Sequence, residues 1–253
     1  FVKEEKPDVL YINYDPGNIR RIVDKLRSED CELPIVAYMP IEGTPVVPQI
    51  LETIRLIKVL NGQTVVYTKT GAEAIVDKGG ARCKIAYHGV DHAKFAPLSE
   101  ERIQELRFAV GFKDKLCLMS AGRNKRTKGF AAVIETAKIL LKRGFRDFIW
   151  YLHTNPYEGM QNSSLPLEEM VLAHGLQNHI IFPPNFNQLS GVPYDVPINI
   201  TVPNTEDIRQ VHQHNFSVLT MVERYAIMDT FINLSEVEGF GLMPLEAMGC
   251  GVP

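Results

Sequence analysis

Several features that would direct the interpretation of this sequence towards particular classes of protein are scarce or missing. The net charge of −3 over 253 residues lacks the basic excess of a general nucleic-acid-binding protein. No apolar run approaches the ~18 residues that a membrane-spanning helix needs. The four cysteines are far apart, with no C-x-x-C pattern and no Cys/His pair at metal-ligand spacing: Cys31, Cys83, Cys117 and Cys250. We interpret them as reduced, mostly buried thiols of a cytoplasmic type of protein, without a metal site.

What is present is ordinary globular material, 45% apolar and 23% charged, enough for one large core or two modest ones. Short apolar runs alternate with amphipathic stretches, which predicts an α/β protein with parallel sheets. The predicted strands cover 8–13, 34–39, 64–68, 84–88, 116–121, 148–153, 179–183 and 230–234. The predicted helices cover 18–28, 48–60, 129–144, 167–175 and 206–225, with Asn18 as an N-cap and Asn61-Gly62 as a stop signal.

The alternation of predicted strands and helices is interrupted near residues 89 to 112, where a loop precedes a predicted helix with Ser99 as its N-cap. We predict a domain connection over 93–112, between a first domain at 1–92 and a second at 113–253. A Pro- and Asn-rich stretch at 183–204 is too long for an ordinary connection, and is either a surface insertion or a functional loop. The chain begins without methionine and stops where a strand would normally follow, so we expect both domains to be incomplete.

A basic loop follows the predicted strand 116–121, in the stretch MSAGRNKRTKGF. Four cations lie between Gly122 and the helix that begins near Gly129: Arg123, Lys125, Arg126 and Lys128. Open α/β sheets bind ligands at such strand ends, and helix N-termini favour anions. The pattern is therefore compatible with a phosphate site, but a solvated basic turn is the favoured interpretation of this feature alone.

The stretch EVEGFGLMPLEAMGCGVP (236–253) places Glu238 in a tight loop and Glu246 in a short helix. Gly239 and Gly241 let the backbone approach a ligand closely. A carboxylate accepts two hydrogen bonds, which suits the paired hydroxyls of a ribose or hexose. The alternative is that acidic residues merely favour a helix N-terminus and that GFG is only a turn.

Two nucleotide-binding signatures are missing from these motifs. Pro244 stands where G-x-G-x-x-G requires its third glycine, which excludes the dinucleotide-binding fingerprint at this loop. Asp-x-Asp occurs nowhere in the chain, which removes the usual metal–diphosphate motif of the other nucleotide-sugar transferase architecture.

Three motifs in order resemble the retaining glycosyltransferases of GT-B architecture, specifically glycosyltransferase family 4. The first motif is KIAYHGVDHAKFAP, with His88 in place of the family's Asn. The second is LRFAVGFKDKLCLMSAGRNKRTKGF, a helix, a strand and the basic loop, which matches the family's G-R-x-x-x-x-K-G. The third is SEVEGFGLMPLEAMGCGVP, with Gly249 in place of an alanine. The resemblance implies two Rossmann-like domains facing a cleft. It also implies transfer of a hexosyl group from a nucleoside-diphosphate sugar, of UDP or GDP type, to a hydroxyl acceptor with retention.

The resemblance also implies residue roles. Arg123 and Lys128 would bind the donor diphosphate and stabilise its charge during transfer, Glu246 would accept the ribose hydroxyls, and Glu238 would hold the sugar. The backbone of the loop would assist, through Gly239, Phe240, Gly241 and Leu242. Family members generally need no metal and no other cofactor, and the two glutamates are not a hydrolase acid/base pair.

The chain also departs from the family pattern, and other functions stay open. Many members carry a His after the strand matching 34–39, where this chain has Pro40 or its neighbours. Alternatives are a sugar-nucleotide epimerase of the same architecture and a non-catalytic nucleotide-sugar-binding protein. The expected partners are a nucleotide-sugar donor and a saccharide, lipid-linked or protein acceptor, with no nucleic acid. The basic face of 18–28 indicates at most peripheral membrane contact, and a solvated helix is the favoured reading.

Overall fold

The computed structural model describes residues 2–5, 7–31, 33–156, 164–183 and 215–253. The Pro- and Asn-rich stretch predicted at 183–204 lies outside the described residues from position 184 onward. The first part of the helix predicted over 206–225 also lies outside them.

The chain divides into two compact units. The first comprises Phe1–Gly89 and Val237–Gly241, and the second comprises Val90–Glu236 and Leu242–Pro253. Each contains a parallel four-stranded sheet with helices between consecutive strands, so the predicted α/β class is confirmed. The helix of the predicted connection 93–112 falls within the second unit.

The sheet of the first unit has strand order β1-β2-β3-β4. Its elements are α1 (Val2–Glu5), β1 (Leu10–Asn13), α2 (Pro16–Ser28), β2 (Ile35–Met39), α3 (Pro48–Val59), β3 (Gln63–Val66), α4 (Lys69–Asp77) and β4 (Lys84–Ile85). In-register pairs such as Ile12–Ala37 and Ala37–Thr64 align the strands. Ile19, Ile57 and Ile75, one from each long helix, are fully buried in the core of this unit.

Local signals account for most of the helix limits in this unit. Helix α3 begins at Pro48 and stops before Asn61, whose φ of 55° leaves the helical region, as predicted from Asn61-Gly62. The Asn18 N-cap is wrong, because α2 already begins at Pro16 and Asp15 holds the cap position. Helix α4 was absent from the predicted set. The Thr68 hydroxyl caps it by accepting from the Gly71 N–H at 3.1 Å.

The sheet of the second unit has strand order β7-β6-β5-β8. Its elements are α5 (Glu100–Ala109), β5 (Leu116–Ala121), a 3-10 turn (Arg126–Lys128), α6 (Phe130–Lys142), β6 (Phe148–His153), α7 (Leu167–Ala173), β7 (Ile180–Ile181), α8 (Met221–Ala226), β8 (Thr230–Phe231) and α9 (Leu242–Gly249). The chain leaves β5 towards β6 and β7 on one side and returns to β8 on the other. The carboxyl end of β5 is therefore a topological switch point, where open α/β sheets bind ligands.

Two sequence predictions for this unit are corrected. The part of helix 206–225 that the structure describes is not continuous, because Thr220 starts α8 with a capping box to Glu223. The strand predicted over 230–234 is limited to Thr230–Phe231, which is half-buried at the sheet edge, and Asn233 beyond it is exposed. Across the described ranges of the chain, we find no helix long and apolar enough to cross a membrane.

Candidate functional site

The basic loop lies at the switch point of the second sheet. Strand β5 ends at Ala121, Gly122 turns the chain, and α6 begins at Phe130. A side-chain carbon added to Gly122 would lie 3.5 Å from Cδ of Lys128. The aliphatic part of the half-buried Lys128 side chain therefore crosses Gly122 at van der Waals distance. Arg123 is exposed on the same loop.

Gly129 lets this loop approach the loop that follows β8. Its φ of 74° is left-handed, and an added side-chain carbon would lie 2.7 Å from Cβ of Leu234. Beside it, the Glu236 N–H donates to the Thr127 carbonyl at 2.8 Å. The two loops that flank the switch point are thus in direct contact, and only glycine fits at the closest approach.

Asn124 anchors the basic loop from within, and the sequence analysis missed it. This side chain is 2% exposed. Its amide donates to the Leu165 carbonyl at 2.8 Å and accepts from the Leu165 N–H at 3.1 Å. A buried asparagine with satisfied hydrogen bonds fixes the geometry of the loop from inside the unit. Nothing in the sequence indicates that Asn124, rather than one of its charged neighbours, is the residue that anchors the loop.

Glu246 lies on α9, the helix with Pro244 in its first turn and Gly249 at its end, as predicted. The Tyr225 hydroxyl donates to its carboxylate at 2.8 Å. Burial raises the pKa of Glu246, and the Tyr225 hydrogen bond and the Lys94 charge partly offset this. The carboxylate is therefore oriented and half-buried, with acceptor capacity beyond the single Tyr225 bond.

The loop Val237–Gly241 groups with the first unit. Glu238, Gly239 and Phe240 line a cavity of about 280 Å³ together with residues that follow β2 and residues at the start of α4. Gly241 has a φ of 89°, and Leu242 begins α9 in the second unit. The structure thus brings Glu238, Gly239 and Phe240 to one cavity, and Arg123 and Lys128 to one loop.

Pro40 or one of its neighbours stands where the resembled family often has a histidine. A side-chain carbon added to Gly239 would lie 3.0 Å from Cβ of Pro40 and 3.7 Å from Oε1 of Glu42. The position is therefore filled by an apolar contact, and the nearest polar group on this segment is the Glu42 carboxylate. No sequence motif predicts Glu42 as a site residue.

A larger and mainly apolar cavity, of about 670 Å³, lies beside β7 in the second unit. Phe112, Ile149, Val171, Ile181 and Phe216 line it, and it contains none of the predicted site residues. We attach the candidate site to the switch point instead, because Arg123, Lys128 and the start of α6 lie there.

The basic face of α2 pairs with carboxylates along the helix. Arg20 Nε donates to Asp24 at 2.8 Å, and Lys25 Nζ donates to Glu29 at 2.7 Å. Exposed pairs of this kind are typical of a solvated helix.

In the part of the chain with assigned positions, no group of three or more His, Cys, Asp or Glu side chains is placed to hold a metal ion.

Comparison with known proteins gives a likeness in structure only. No family model matches the sequence, and no curated protein matches it. HepE of Anabaena, solved with UDP, superposes with a TM-score of 0.67 at 17% identity, over 99% of this chain and 60% of HepE. Sucrose-phosphate synthase of Thermosynechococcus elongatus gives 0.63 at 14% identity, over 100% of this chain and 56% of the synthase.

A third similar structure is described as trehalose-6-phosphate from E. coli bound with UDP-2-fluoro glucose. It gives a TM-score of 0.62 at 11% identity, over 98% of this chain and 57% of that protein. The chain therefore spans 60% or less of the length of these three proteins. The likeness establishes the fold, an α/β fold of GT-B type with two parallel-sheet domains.

Proposed function

We propose that this chain is part of a glycosyltransferase that moves a hexosyl group from a nucleoside-diphosphate sugar to a hydroxyl acceptor, with retention and without a metal. One observation carries the proposal. Lys128 lies across Gly122 at the switch point of the second sheet, beside the Gly129–Leu234 contact. The solved structures of HepE with UDP and with UDP-glucose support a nucleotide sugar as donor.

The basic loop suits a diphosphate for electrostatic reasons. The first N–H groups of α6 have no partner within the helix, and the helix dipole makes this end positive. Lys128 and Arg123 add two full charges. Because Lys128 is half-buried, its charge is screened by solvent less than that of an exposed lysine. The same groups would stabilise the charge that grows on the leaving nucleoside diphosphate.

Glu246 suits the ribose. Tyr225 holds its carboxylate at 2.8 Å and leaves acceptor positions for two neighbouring hydroxyls. Glu238 and the N–H groups of Phe240, Gly241 and Leu242 would hold the transferred sugar. In the proposed step the bond between the anomeric carbon and the phosphate oxygen breaks, and a bond from the acceptor oxygen forms on the same face. The acceptor proton passes to a departing phosphate oxygen, so neither glutamate acts as a nucleophile.

Nucleotide binding tests the site. We expect UDP or GDP to bind the chain in calorimetry, and Lys128→Ala or Arg123→Ala to weaken binding about tenfold or more, the scale of one charge-assisted hydrogen bond. Lys142→Ala is the matched control, because Lys142 lies at the C-terminal end of α6, whereas the basic loop precedes the N-terminal end of the same helix. Unchanged affinity in both loop variants would refute the assignment.

Turnover by the complete protein, of which we propose that this chain is a part, tests the reaction. UDP-glucose is the first donor to use, because HepE has been solved with it. Release of nucleoside diphosphate that depends on an added hydroxyl acceptor is the expected result. Conversion of the donor sugar without an acceptor would indicate an epimerase, and binding without any turnover would indicate a non-catalytic protein. The anomeric configuration of the product, read by NMR, tests retention.

A further inference from the structure

His88 follows β4, beyond the edge of the first sheet at which its parallel strands end. Three aromatic side chains of the same unit contact its ring, at centroid distances of 4.2 Å for Tyr67, 5.1 Å for Phe240 and 5.3 Å for Tyr38. Open α/β sheets bind their ligands outside the carboxyl ends of their strands. The imidazole is therefore held by packing in a part of the unit where a ligand is expected.

Two hydrogen bonds in series fix the proton of the His88 ring. The Tyr38 hydroxyl lies 2.8 Å from the Ala86 carbonyl oxygen, and a carbonyl oxygen can only accept. We therefore assign the Tyr38 proton to this bond, so that the Tyr38 oxygen accepts from His88 Nδ1, 3.2 Å away. Nδ1 then carries the ring proton, and Nε2 carries a lone pair.

The His88 ring is neutral near pH 7. Burial lowers its pKa. The two tyrosines that contact it are uncharged at the same pH, because burial raises the pKa of Tyr38 and also that of Tyr67, the latter to about 12. A neutral imidazole with its proton on Nδ1 accepts a hydrogen bond at Nε2. Within the described residues, Tyr38 is the one hydrogen-bond partner of this half-buried side chain, so Nε2 is available to a ligand.

The loop Val237–Gly241 indicates which ligand would reach this nitrogen. Phe240 of that loop meets the His88 ring edge-on, with an angle of 86° between the two planes. In the proposed function the same loop holds the transferred sugar. A sugar hydroxyl can donate to Nε2, whereas an ionised phosphate oxygen has no proton to donate. The chemistry of the nitrogen therefore suits the sugar part of the donor and not its diphosphate.

We propose that His88 binds a hydroxyl group of the transferred sugar by accepting at Nε2, and that Tyr38 is a positioning residue that keeps the ring proton on Nδ1. The inference rests on the proposed function and deepens it, because it adds a residue that requires a hydroxyl group on the sugar. His88 then contributes to affinity for the sugar part of the donor and not to affinity for the nucleotide.

Nitrogen NMR of the full chain, with isotopically labelled histidine rings, tests the tautomer. We expect Nδ1 of His88 to be protonated and Nε2 unprotonated at pH 7.5, with the signals assigned by their loss in His88→Asn. Tyr38→Phe removes the oxygen that accepts from Nδ1, and should move the proton towards Nε2. A proton on Nε2 in the wild-type chain would overturn the inference, and an unchanged tautomer in Tyr38→Phe would overturn the positioning role of Tyr38.

Calorimetry with UDP-glucose and with UDP tests the binding role, because the ratio of the two affinities reports the contacts of the sugar. Asparagine can replace Nδ1 but does not reach the position of Nε2, whereas the amide of glutamine does. His88→Asn should therefore lower the ratio about fivefold, the scale of one neutral hydrogen bond, and His88→Gln should keep it within about twofold of wild type. His92→Asn, an exposed histidine of the same motif, is the matched control and should change neither affinity.

An unchanged ratio in His88→Asn, or an equal loss in His88→Gln, would overturn the role of His88 alone, since UDP binding would still support the proposed function. Equal losses of UDP and UDP-glucose affinity in His88→Asn would also overturn it, because they would show a structural role for the ring. Where GDP binds in place of UDP, GDP-glucose and GDP are the probes. Absence of both UDP and GDP binding in wild type would contradict the proposed function itself.

Discussion

The Tyr151 hydroxyl lies 2.6 Å from Nδ1 of His153, at the carboxyl end of β6. Arg224 Nη1 donates to the same hydroxyl at 3.3 Å. We therefore assign the Tyr151 proton to the bond with His153, so that His153 accepts at Nδ1 and carries its own proton on Nε2. This chain of hydrogen bonds holds the imidazole in one neutral tautomer beside the strand that ends in the basic loop.

We predict that His153 makes the protein sensitive to acid. Burial, with a further contribution from the Arg224 charge, lowers the pKa of His153 to about 3. An unfolded histidine titrates near ~6.5, so the unfolded chain binds the proton first as pH falls. The stability contribution is fully present above pH ~6.5 and decreases towards pH 3, with a slope approaching about 1.4 kcal/mol per pH unit. Urea unfolding at a series of pH values between 4 and 7.5 measures it.

His153→Gln is the control for this prediction, because glutamine keeps a polar side chain and removes the titration. Its free energy of unfolding should be lower than that of wild type at pH 7.5 and should depend less on pH. The same slope in both proteins would show that other groups cause the acid sensitivity.

Gly129→Ala should destabilise the second unit by about 2–4 kcal/mol, because the added methyl meets Leu234 and the residue must keep a φ of 74°. Gly144→Ala is a matched control. Its φ is 85°, yet nothing lies within 4 Å of the added carbon. The control should cost only the backbone strain, about 1 kcal/mol. Thermal or urea unfolding measures both, and equal losses would contradict the close approach of the two loops.

Periodicity in the sequence is sufficient to predict the α/β class and the approximate positions of the eight strands that the structure describes. Periodicity does not predict a helix correctly where a single cap or packing contact determines whether the helix forms or where it begins. Helix α4 has nine residues and a glycine at Gly71, so its propensity is weak, and the Thr68 cap and the packing of Ile75 establish it. The helix predicted through 220 fails for the opposite reason, because the Thr220–Glu223 capping box begins a new helix inside an unbroken apolar pattern.

The site shows the same limit. Arg123, Lys128, Glu238 and Glu246 stand in recognisable motifs, and their roles stay predictions. Asn124 and Glu42 belong to no motif, because burial and proximity across the fold give them their importance. Only the three-dimensional arrangement reveals that Asn124 anchors the basic loop from Leu165, 41 positions away.

Thr220→Ala should lower the free energy of unfolding by about 1 kcal/mol. The Thr220 hydroxyl accepts from the Glu223 N–H at 3.3 Å, and the Glu223 carboxylate accepts from the Thr220 N–H at 3.0 Å. Thr136→Ala is the comparison, because the Thr136 hydroxyl donates back to the Ala132 carbonyl within α6 and alanine is the better helix former there. Urea unfolding should show a loss for the first and no loss for the second, and the opposite order would refute the capping role.

If Glu246 holds the ribose as proposed, nucleotide binding should weaken in acid. Burial raises the pKa of this carboxyl, and the Tyr225 hydroxyl opposes the rise by donating to the carboxylate. Only the ionised form accepts from both ribose hydroxyls, so UDP affinity should fall as the pH decreases through the raised pKa. Tyr225→Phe removes the opposing hydrogen bond, and should move this loss of affinity to higher pH.

Calorimetry with UDP from pH 4.5 to 7.5 measures the effect. The phosphate of the ligand itself titrates near ~6. The UDP affinity of each protein at each pH is therefore divided by that of Glu246→Gln, which shares the phosphate titration and lacks the carboxyl. We expect the ratio of wild-type to Glu246→Gln affinity to increase with pH. The corresponding ratio for Tyr225→Phe should increase at a higher pH than the wild-type ratio. A flat wild-type ratio would mean that Glu246 does not contact the nucleotide. A wild-type ratio that rises, with no shift in Tyr225→Phe, would leave Glu246 in its role and remove Tyr225 from the control of its pKa.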